Sequence, residues 1–356
     1  MAETYFLGYS TPDGFLTHIT DDIGSRKYKT FILKGGPGTG KSSLMKRVVK
    51  ELSEVETPEL YYCSSDPDSL DAVLFRGLGI IVVDGTSPHV IEPKYPGVSE
   101  ILINLGSCWD SNKLNDAKEK IIAATIKNKK YHAVVRRYLR AIISINEDVL
   151  TVGETCLNKE KLDAYCDRLS SRLFPKKKCS PTAVSFRQIT SLTPKGVLTN
   201  KTNFDGMNVF IVNDEYYAVR ARLLDKLANA ACSNGYEVIV SSDMFLQGNI
   251  YQHVVIPELK IAIISGNCDN LFDMPYHTAK INAMRFYDIS KLKDKKKRAE
   301  FDRGVAEKLI GEAITALKNA KNVHDELESW YINAMNFDKV SAITDKLIED
   351  IRHAAM

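Results

Sequence analysis

Apolar residues follow two different spacings along this chain, and the alternation between them predicts the order of the elements. Short apolar runs typical of buried strands occupy Thr30–Leu33, Leu60–Cys63 and Gly79–Val83. Over Ser42–Leu52, apolar residues instead recur every three or four positions, which is typical of an amphipathic helix. Because strands alternate with helices, the pattern predicts an α/β fold with a parallel sheet flanked by helices.

The same order of elements returns later in the chain. Strands are predicted over Val209–Val212, Glu237–Val240 and Lys260–Ile264, and a helix over Ala221–Ala231. Each part closes with helical stretches, which predict a helical extension of each sheet. The stretches are Lys113–Ser144 and Lys159–Leu173 in the first part, and Leu292–Tyr331 and Asp338–Ala355 in the second.

The sequence is repeated as well as the pattern. Four segments return in the same order at spacings of 177 to 182 residues. The pairs are Thr11–Thr17 with Thr193–Thr199, Ser64–Asp66 with Ser241–Asp243, Leu78–Gly85 with Leu259–Gly266, and Asn158–Leu173 with Asn336–Ile351. We therefore predict a tandem duplication with domains at residues 1–178 and 179–356, joined near Phe174–Thr182, where prolines and lysines are typical of a linker.

Composition narrows the class of protein. A length of 356 residues suits two domains, and 44% hydrophobic with 26% charged residues predicts a soluble globular protein. The net charge of +3 gives no reason to expect nucleic acid or a membrane as partner. The seven cysteines form no C-x-x-C pair, and no signal peptide or apolar run of membrane-spanning length is present, so we expect a cytoplasmic location.

A complete Walker A motif, G-x-x-x-x-G-K-S, directly follows the first predicted strand, Thr30–Leu33. The nucleotide-binding residues that it predicts are Gly35, Gly36, Pro37, Gly38, Thr39, Gly40, Lys41, Ser42 and Ser43. Glycines let backbone N–H groups turn toward phosphates, and the N-terminus of the following helix adds its positive dipole end. We expect Lys41 to contact the β- and γ-phosphates of the nucleotide and the Ser42 hydroxyl to ligate Mg²⁺.

The matched segment of the second half lacks this chemistry. Asp214 and Glu215 carry charges that repel phosphate, Arg220 stands at the position of Lys41, and Ala221 removes the hydroxyl of Ser42. The flanking strand and helix remain. We therefore predict one nucleotide per chain and a degenerate second domain.

The apolar run Ile80–Val83 ends in Asp84, as in a Walker B strand. An aspartate at the carboxyl end of a parallel strand faces the ligand crevice, so Asp84 is predicted as the second Mg²⁺ residue. The alternative is an aspartate that only begins a turn with Gly85. Gly85 also stands where motor ATPases usually carry a glutamate, which argues against a fast motor. Because no Asn-Lys-x-Asp motif of the Ras type is present, adenine is the preferred base.

Four further polar residues are candidates to position water or substrate. They are Asp66, His89, Glu92 and Glu100. His89 lies just beyond the predicted Walker B strand, where it is either a catalytic group or a surface residue of a turn. Asp66 persists as Asp243 where the phosphate loop is lost, and this favours a structural task such as capping the following helix.

Three segments together resemble a family of uncharacterised bacterial P-loop ATPases with two similar halves. They are Phe31–Met45, Cys63–Asp71 and Asp84–His89. The resemblance implies ATP binding and hydrolysis. We therefore expect a Mg²⁺-dependent ATPase with Lys41, Asp84 and His89 as catalytic residues. Two alternatives stay open: a kinase acting on a small-molecule or nucleotide acceptor, and a non-catalytic nucleotide switch that presents its helices to a protein partner.

Overall fold

The computed structural model describes residues 2–25, 27–266 and 278–354. The protein is a mixed α/β protein with two six-stranded sheets, as its alternating pattern predicts. The strands of the first half are β1 (Glu3–Phe6), β2 (Gly8–Thr11), β3 (Gly14–Thr17), β4 (Lys29–Lys34), β5 (Glu59–Tyr62), β6 (Leu70–Phe75), β7 (Ile80–Asp84) and β8 (Glu100–Asn104). Its helices are α1 (Ile19–Gly24), α2 (Lys41–Leu52), α3 (Ser111–Asp116), α4 (Lys118–Cys156) and α5 (Lys159–Leu173).

The second half repeats this order. Its strands are β9 (Val184–Phe186), β10 (Thr190–Thr193), β11 (Gly196–Thr199), β12 (Asn208–Asn213), β13 (Val238–Ser242), β14 (Tyr251–Ile256), β15 (Ile261–Ser265) and β16 (Ala279–Asn282). Its helices are α6 (Ala218–Ser233), α7 (Ile289–Lys293), α8 (Lys296–Ala334) and α9 (Phe337–Ala354).

The first sheet has the strand order β1-β5-β6-β7-β4-β8 and is not fully parallel. Strand β6 runs antiparallel to both of its neighbours, whereas the other pairs are parallel. The prediction of a parallel sheet is therefore wrong for this strand, which the sequence patterns did not identify. The reason is length: only residues 63–69 connect β5 to β6, and a parallel crossover needs a dozen or more residues.

The second sheet has the same arrangement, which confirms that the chain has two similar halves. Its order, read from the other edge as β9-β13-β14-β15-β12-β16, is the first order with each strand replaced by its counterpart. Strand β14 again runs antiparallel to both neighbours. The repeated Thr-Pro segments form matching hairpin turns, in which Thr11 Oγ1 donates to Gly14 O at 3.1 Å and Thr193 Oγ1 donates to Gly196 O at 2.8 Å.

The chain forms two compact units that are discontinuous in sequence. Unit 1 contains Met1–Arg136, Leu192–Gly196 and Ala313–Met356, and unit 2 contains Arg137–Ser191 and Val197–Glu312. The boundaries of these units therefore differ from those of the predicted domains 1–178 and 179–356. The predicted boundary describes the repeat in the sequence and stays a prediction. No described helix is both long enough and apolar enough to cross a membrane.

The last helix of each half completes the core built on the other half's sheet. In unit 1, Val340, Leu347 and Ile351 of α9 are buried in one cluster with α2 and the first sheet. In unit 2, the cluster around α6 and the second sheet takes Leu162, Cys166 and Leu169 from α5. Burying such apolar side chains stabilises each unit by about 1.5–3 kcal/mol per residue. Neither unit therefore has a complete core without residues from both halves.

His253 makes the stability of unit 2 sensitive to acid. The side chain is fully buried on β14, where Nε2 lies 2.8 Å from Thr190 Oγ1. Burial, and then the nearby Arg220, lowers the pKa of His253 from 6.5 to about 3. The native state therefore binds fewer protons than the unfolded state between these two values, so protonation favours unfolding.

We expect the free energy of unfolding to fall as pH drops below 6.5, the ordinary pKa of histidine. The His253 contribution to this loss should reach about 2 kcal/mol near pH 5, since one pKa unit corresponds to about 1.4 kcal/mol. Urea unfolding of the wild type and of His253→Gln at neutral and acidic pH measures the effect. Equal pH dependence in the two proteins would contradict it.

Candidate functional site

The predicted phosphate loop lies between the carboxyl end of β4 and the first turn of α2, all within unit 1. We call residues Gly35–Gly40 the glycine loop. Gly38 and Gly40 adopt φ angles of +67° and +90°, in the left-handed region that favours glycine. The Thr39 hydroxyl is buried and donates to Gly36 O at 2.9 Å, which holds the loop closed on itself.

Lys41 bends back over the glycine loop. Its Nζ donates to Gly35 O at 2.9 Å and to Gly36 O at 2.7 Å, and lies 3.6 Å from Asp84 Oδ2. The side chains of Lys41 and Asp84 are each only 11% exposed. The two residues predicted from separate motifs are therefore neighbours, and the ammonium group balances the buried carboxylate.

Asp84 ends β7, which pairs in parallel with β4 so that Asp84 lies opposite Leu33. Its Oδ1 accepts hydrogen bonds from Thr86 N at 2.9 Å and from Thr86 Oγ1 at 2.6 Å. These bonds fix the carboxylate and leave Oδ2 directed toward Lys41. Asp84 thus precedes the turn at Gly85 and also lies at the carboxyl edge of the sheet beside Lys41, and its role in metal binding stays a prediction.

Ser42 and Ser43 differ in their surroundings. Ser42 Oγ accepts a hydrogen bond from Leu70 N at 3.0 Å, which joins the start of α2 to the start of β6. Ser43 is exposed on α2. Of these two serines, Ser42 is therefore the one whose hydroxyl group bonds to the sheet, at the edge that contains the glycine loop.

His89 is a buried residue and not a surface turn residue, since its exposure is 6%. Its Nε2 lies 3.9 Å from Asp71 Oδ2, and its ring centroid lies 5.5 Å from that of Phe15, with the two rings tilted by 45°. Asp71, on the antiparallel strand β6, was not predicted from the sequence as a functional residue. The internal repeat could have revealed it, because the matched residue is the neutral Gln252.

Burial shifts the protonation of this cluster. Burial, and then the carboxylate of Asp84, raises the pKa of Asp71 to about 7. Burial also lowers the pKa of His89 and, together with Asp71, raises the pKa of the Cys63 thiol well above its usual range. A carboxyl group that titrates near neutral pH beside a neutral imidazole is typical of ligand-binding or catalytic positions.

The carboxyl-terminal part of α8 lies against the glycine loop, and this contact was not predicted from the sequence. Gly38 N donates to Glu328 Oε1 at 3.2 Å. A Cβ atom at Gly36 would lie 2.9 Å from Cε1 of Tyr331, so the packing is close. Glu328 also approaches His324, whose hydrogen bond lowers the pKa of the Glu328 carboxyl. One loop amide thus already binds an anionic group.

Three other acidic candidates have partners that indicate structural tasks. Asp66 Oδ2 accepts a hydrogen bond from Ser69 Oγ at 2.7 Å. The next element is strand β6 and not a helix, so the prediction that Asp66 caps a helix is wrong. Glu100 begins β8, at the edge away from the glycine loop, and accepts from Tyr95 N at 2.7 Å. Glu92 pairs with Lys34 at 2.6 Å and is largely exposed.

In the matched loop of unit 2, Asp214 and Arg220 both have partners within the unit. The buried Asp214 accepts from Arg220 N at 2.8 Å and from Tyr216 N at 3.1 Å. Arg220, at the position of Lys41, forms an ion pair of 2.7 Å with Asp243, and its side chain is 1% exposed. A carboxylate of the chain itself therefore accepts these backbone amides in unit 2.

Comparison with known proteins gives no independent guide to this site. No protein-family model, curated protein or solved structure matches the chain. The functional assignment therefore depends on the geometry and chemistry of the residues themselves.

Proposed function

We propose that unit 1 binds Mg-ATP at the glycine loop and hydrolyses it. The observation that carries the proposal is the position of Lys41. Its ammonium group lies over the loop, 3.6 Å from Asp84, between a strand end and a helix N-terminus. Backbone amides, a helix dipole and a lysine at one place form an anion site suited to phosphates.

In this proposal, one group of residues binds the phosphates and another would bind the metal ion. Lys41 exchanges its bonds to Gly35 O and Gly36 O for bonds to the β- and γ-phosphates. Ser42 and Asp84 would hold Mg²⁺, which supplies charge neutralisation at the phosphates. Asp71 and His89 lie beside Asp84, where they can orient the attacking water. The second unit is a degenerate copy, because Asp214 receives its loop amides and Arg220 is paired with Asp243.

The proposal is tested by titrating Mg-ATP and Mg-GTP into the protein calorimetrically and then measuring phosphate release without an acceptor. We expect one ATP per chain, weaker GTP binding and phosphate release. Turnover only with an added metabolite would indicate a kinase instead. The absence of ATP binding at millimolar concentration would refute the proposal.

A nucleotide-dependent switch is a second candidate, favoured by the contact between α8 and the glycine loop. Because Glu328 accepts from Gly38 N, a γ-phosphate that takes this amide must displace the carboxylate. Nucleotide binding would then move this part of α8. Tight ATP binding without turnover under any condition would support the switch over the ATPase.

Replacing Glu328 with glutamine should strengthen ATP binding. The change removes a negative charge next to the proposed phosphate position while keeping the side-chain size. We expect about a fivefold lower Kd, because a neutral hydrogen bond in place of a charge-assisted one competes with the phosphate by about 1 kcal/mol less. Calorimetry should compare this variant with Glu326→Gln, a change at an exposed position of the same helix. Unchanged or weaker binding in Glu328→Gln would show that the carboxylate does not compete with nucleotide.

A further inference from the structure

Asp71, Asp84 and His89 bring three metal-ligating groups to one buried point. One carboxylate oxygen of each aspartate and one ring nitrogen of His89 all lie within 4.8 Å of one another. The three residues are 6–8% exposed. They come from β6, β7 and the segment after β7, so the sheet itself holds two of them in place.

The ring nitrogens of the histidine in this cluster have no hydrogen bond within the described part of the chain, and this observation points to a ligand. Neither ring nitrogen of His89 has a hydrogen-bond partner among the described residues, although both are buried. Asp71 Oδ2 is likewise buried and has no hydrogen bond there. Unsatisfied buried polar atoms are costly, at about 1–3 kcal/mol each, so they need an explanation. A cation between Asp71 and His89 would satisfy both.

Neighbouring groups already orient the ligands. Thr86 occupies Asp84 Oδ1 with two hydrogen bonds, so a metal would bind Oδ2, which lies 3.6 Å from Lys41 Nζ. The Cys63 thiol lies close enough to the Asp71 carboxyl group to interact with it. Such outer contacts are typical of metal sites, where they fix the direction of each ligand.

The second half shows that the sheet does not need these acids. The pairs Ala72–Val83 and His253–Ile264 occupy matched positions in the two antiparallel registers. One residue further along, the second half has Gln252 and Ser265 in place of Asp71 and Asp84. Both carboxylates are therefore specific to the unit that contains the glycine loop.

We propose that Asp71, Asp84 and His89 bind a divalent first-row transition metal, such as Mn²⁺, without nucleotide. Two carboxylates with one imidazole favour such an ion over Mg²⁺, which prefers oxygen ligands and keeps several waters. The site shares Asp84 with the proposed nucleotide metal position, and Leu70, next to Asp71, donates to Ser42. It does not depend on the proposed ATP activity.

The test is a titration of Mn²⁺ into the nucleotide-free full chain. The electron paramagnetic resonance signal of free Mn²⁺ measures how much of the metal stays unbound. We expect one Mn²⁺ per chain, and at least tenfold weaker binding in His89→Gln and in Asp71→Asn. The control Glu92→Gln, at an exposed acid of the same unit, should bind as the wild type does. Thermal unfolding of each variant verifies that it is folded.

Two results would overturn the metal site. One is the absence of Mn²⁺ binding to the nucleotide-free wild type, including the case in which Mn²⁺ binds only together with ATP. The other is unchanged affinity in folded His89→Gln and Asp71→Asn. Failure of the proposed function is distinguishable, since it would leave Mn²⁺ binding intact while ATP does not bind at all.

Discussion

Replacing Lys41 with alanine should weaken Mg-ATP binding by about 30-fold to several thousand-fold. The reason is the loss of a charge-assisted contact to phosphate in a site where the lysine side chain is only 11% exposed. Removing one partner of such a pair costs about 2–5 kcal/mol, which corresponds to this range of Kd. Calorimetric titration of Mg-ATP measures it directly.

The matched control for Lys41 is Lys50→Ala, a change of the same charge at an exposed position in the last turn of α2. It should leave ATP binding within about twofold of the wild type, because distant surface charges are screened by salt. Micromolar ATP affinity retained in Lys41→Ala would contradict the assignment of the glycine loop as the phosphate site.

Replacing Arg220 with alanine should destabilise unit 2 by about 3–5 kcal/mol, because it leaves the carboxylate of Asp243 buried and uncompensated. The two side chains are 1% and 7% exposed and lie 2.7 Å apart. Hydrogen exchange of amides in α6 and β13 measures the loss within unit 2. Both tryptophans, Trp109 and Trp330, belong to unit 1, so their fluorescence would not report on it.

A suitable comparison for Arg220 is Arg222→Ala on the same helix. Arg222 pairs with Asp163 at 2.6 Å, but these side chains are 36% and 28% exposed. Water therefore screens this pair, and we expect a loss of about 1 kcal/mol or less. Equal effects of the two substitutions would show that the buried pair has no special structural importance.

The local elements around the site were predictable because their determinants lie close together in sequence. The run Phe31–Leu33 followed by the Walker A spacing and an amphipathic segment predicts a strand, a turn and a helix. The structure has β4, the glycine loop and α2 at these positions. The repeat likewise predicted two similar halves, since matched segments with the same apolar spacing form the same elements. Binding of ATP at the loop stays a prediction of the motif.

The direction of β6 and the arrangement around it depended on distant parts of the chain. An apolar run does not indicate which strand it pairs with. The short connection 63–69 determines the antiparallel direction of β6 only once β5 and β6 are known to be neighbours. That pairing places Asp71 beside Asp84 and His89. Asp84 was predicted from its apolar run, whereas Asp71 could be noticed in advance only through its neutral counterpart Gln252.

The amino-acid sequence by itself determined the glycine loop, the helix after it and the duplication, because short-range spacing and backbone chemistry specify these features. Only the tertiary structure decided that α9 completes the core beside α2, that Glu328 bonds to Gly38, and that Asp71 faces His89. Each of these contacts joins residues whose separation along the chain carries no periodic pattern. They form because apolar faces must be buried and buried charges must find partners, wherever the folded chain brings them together.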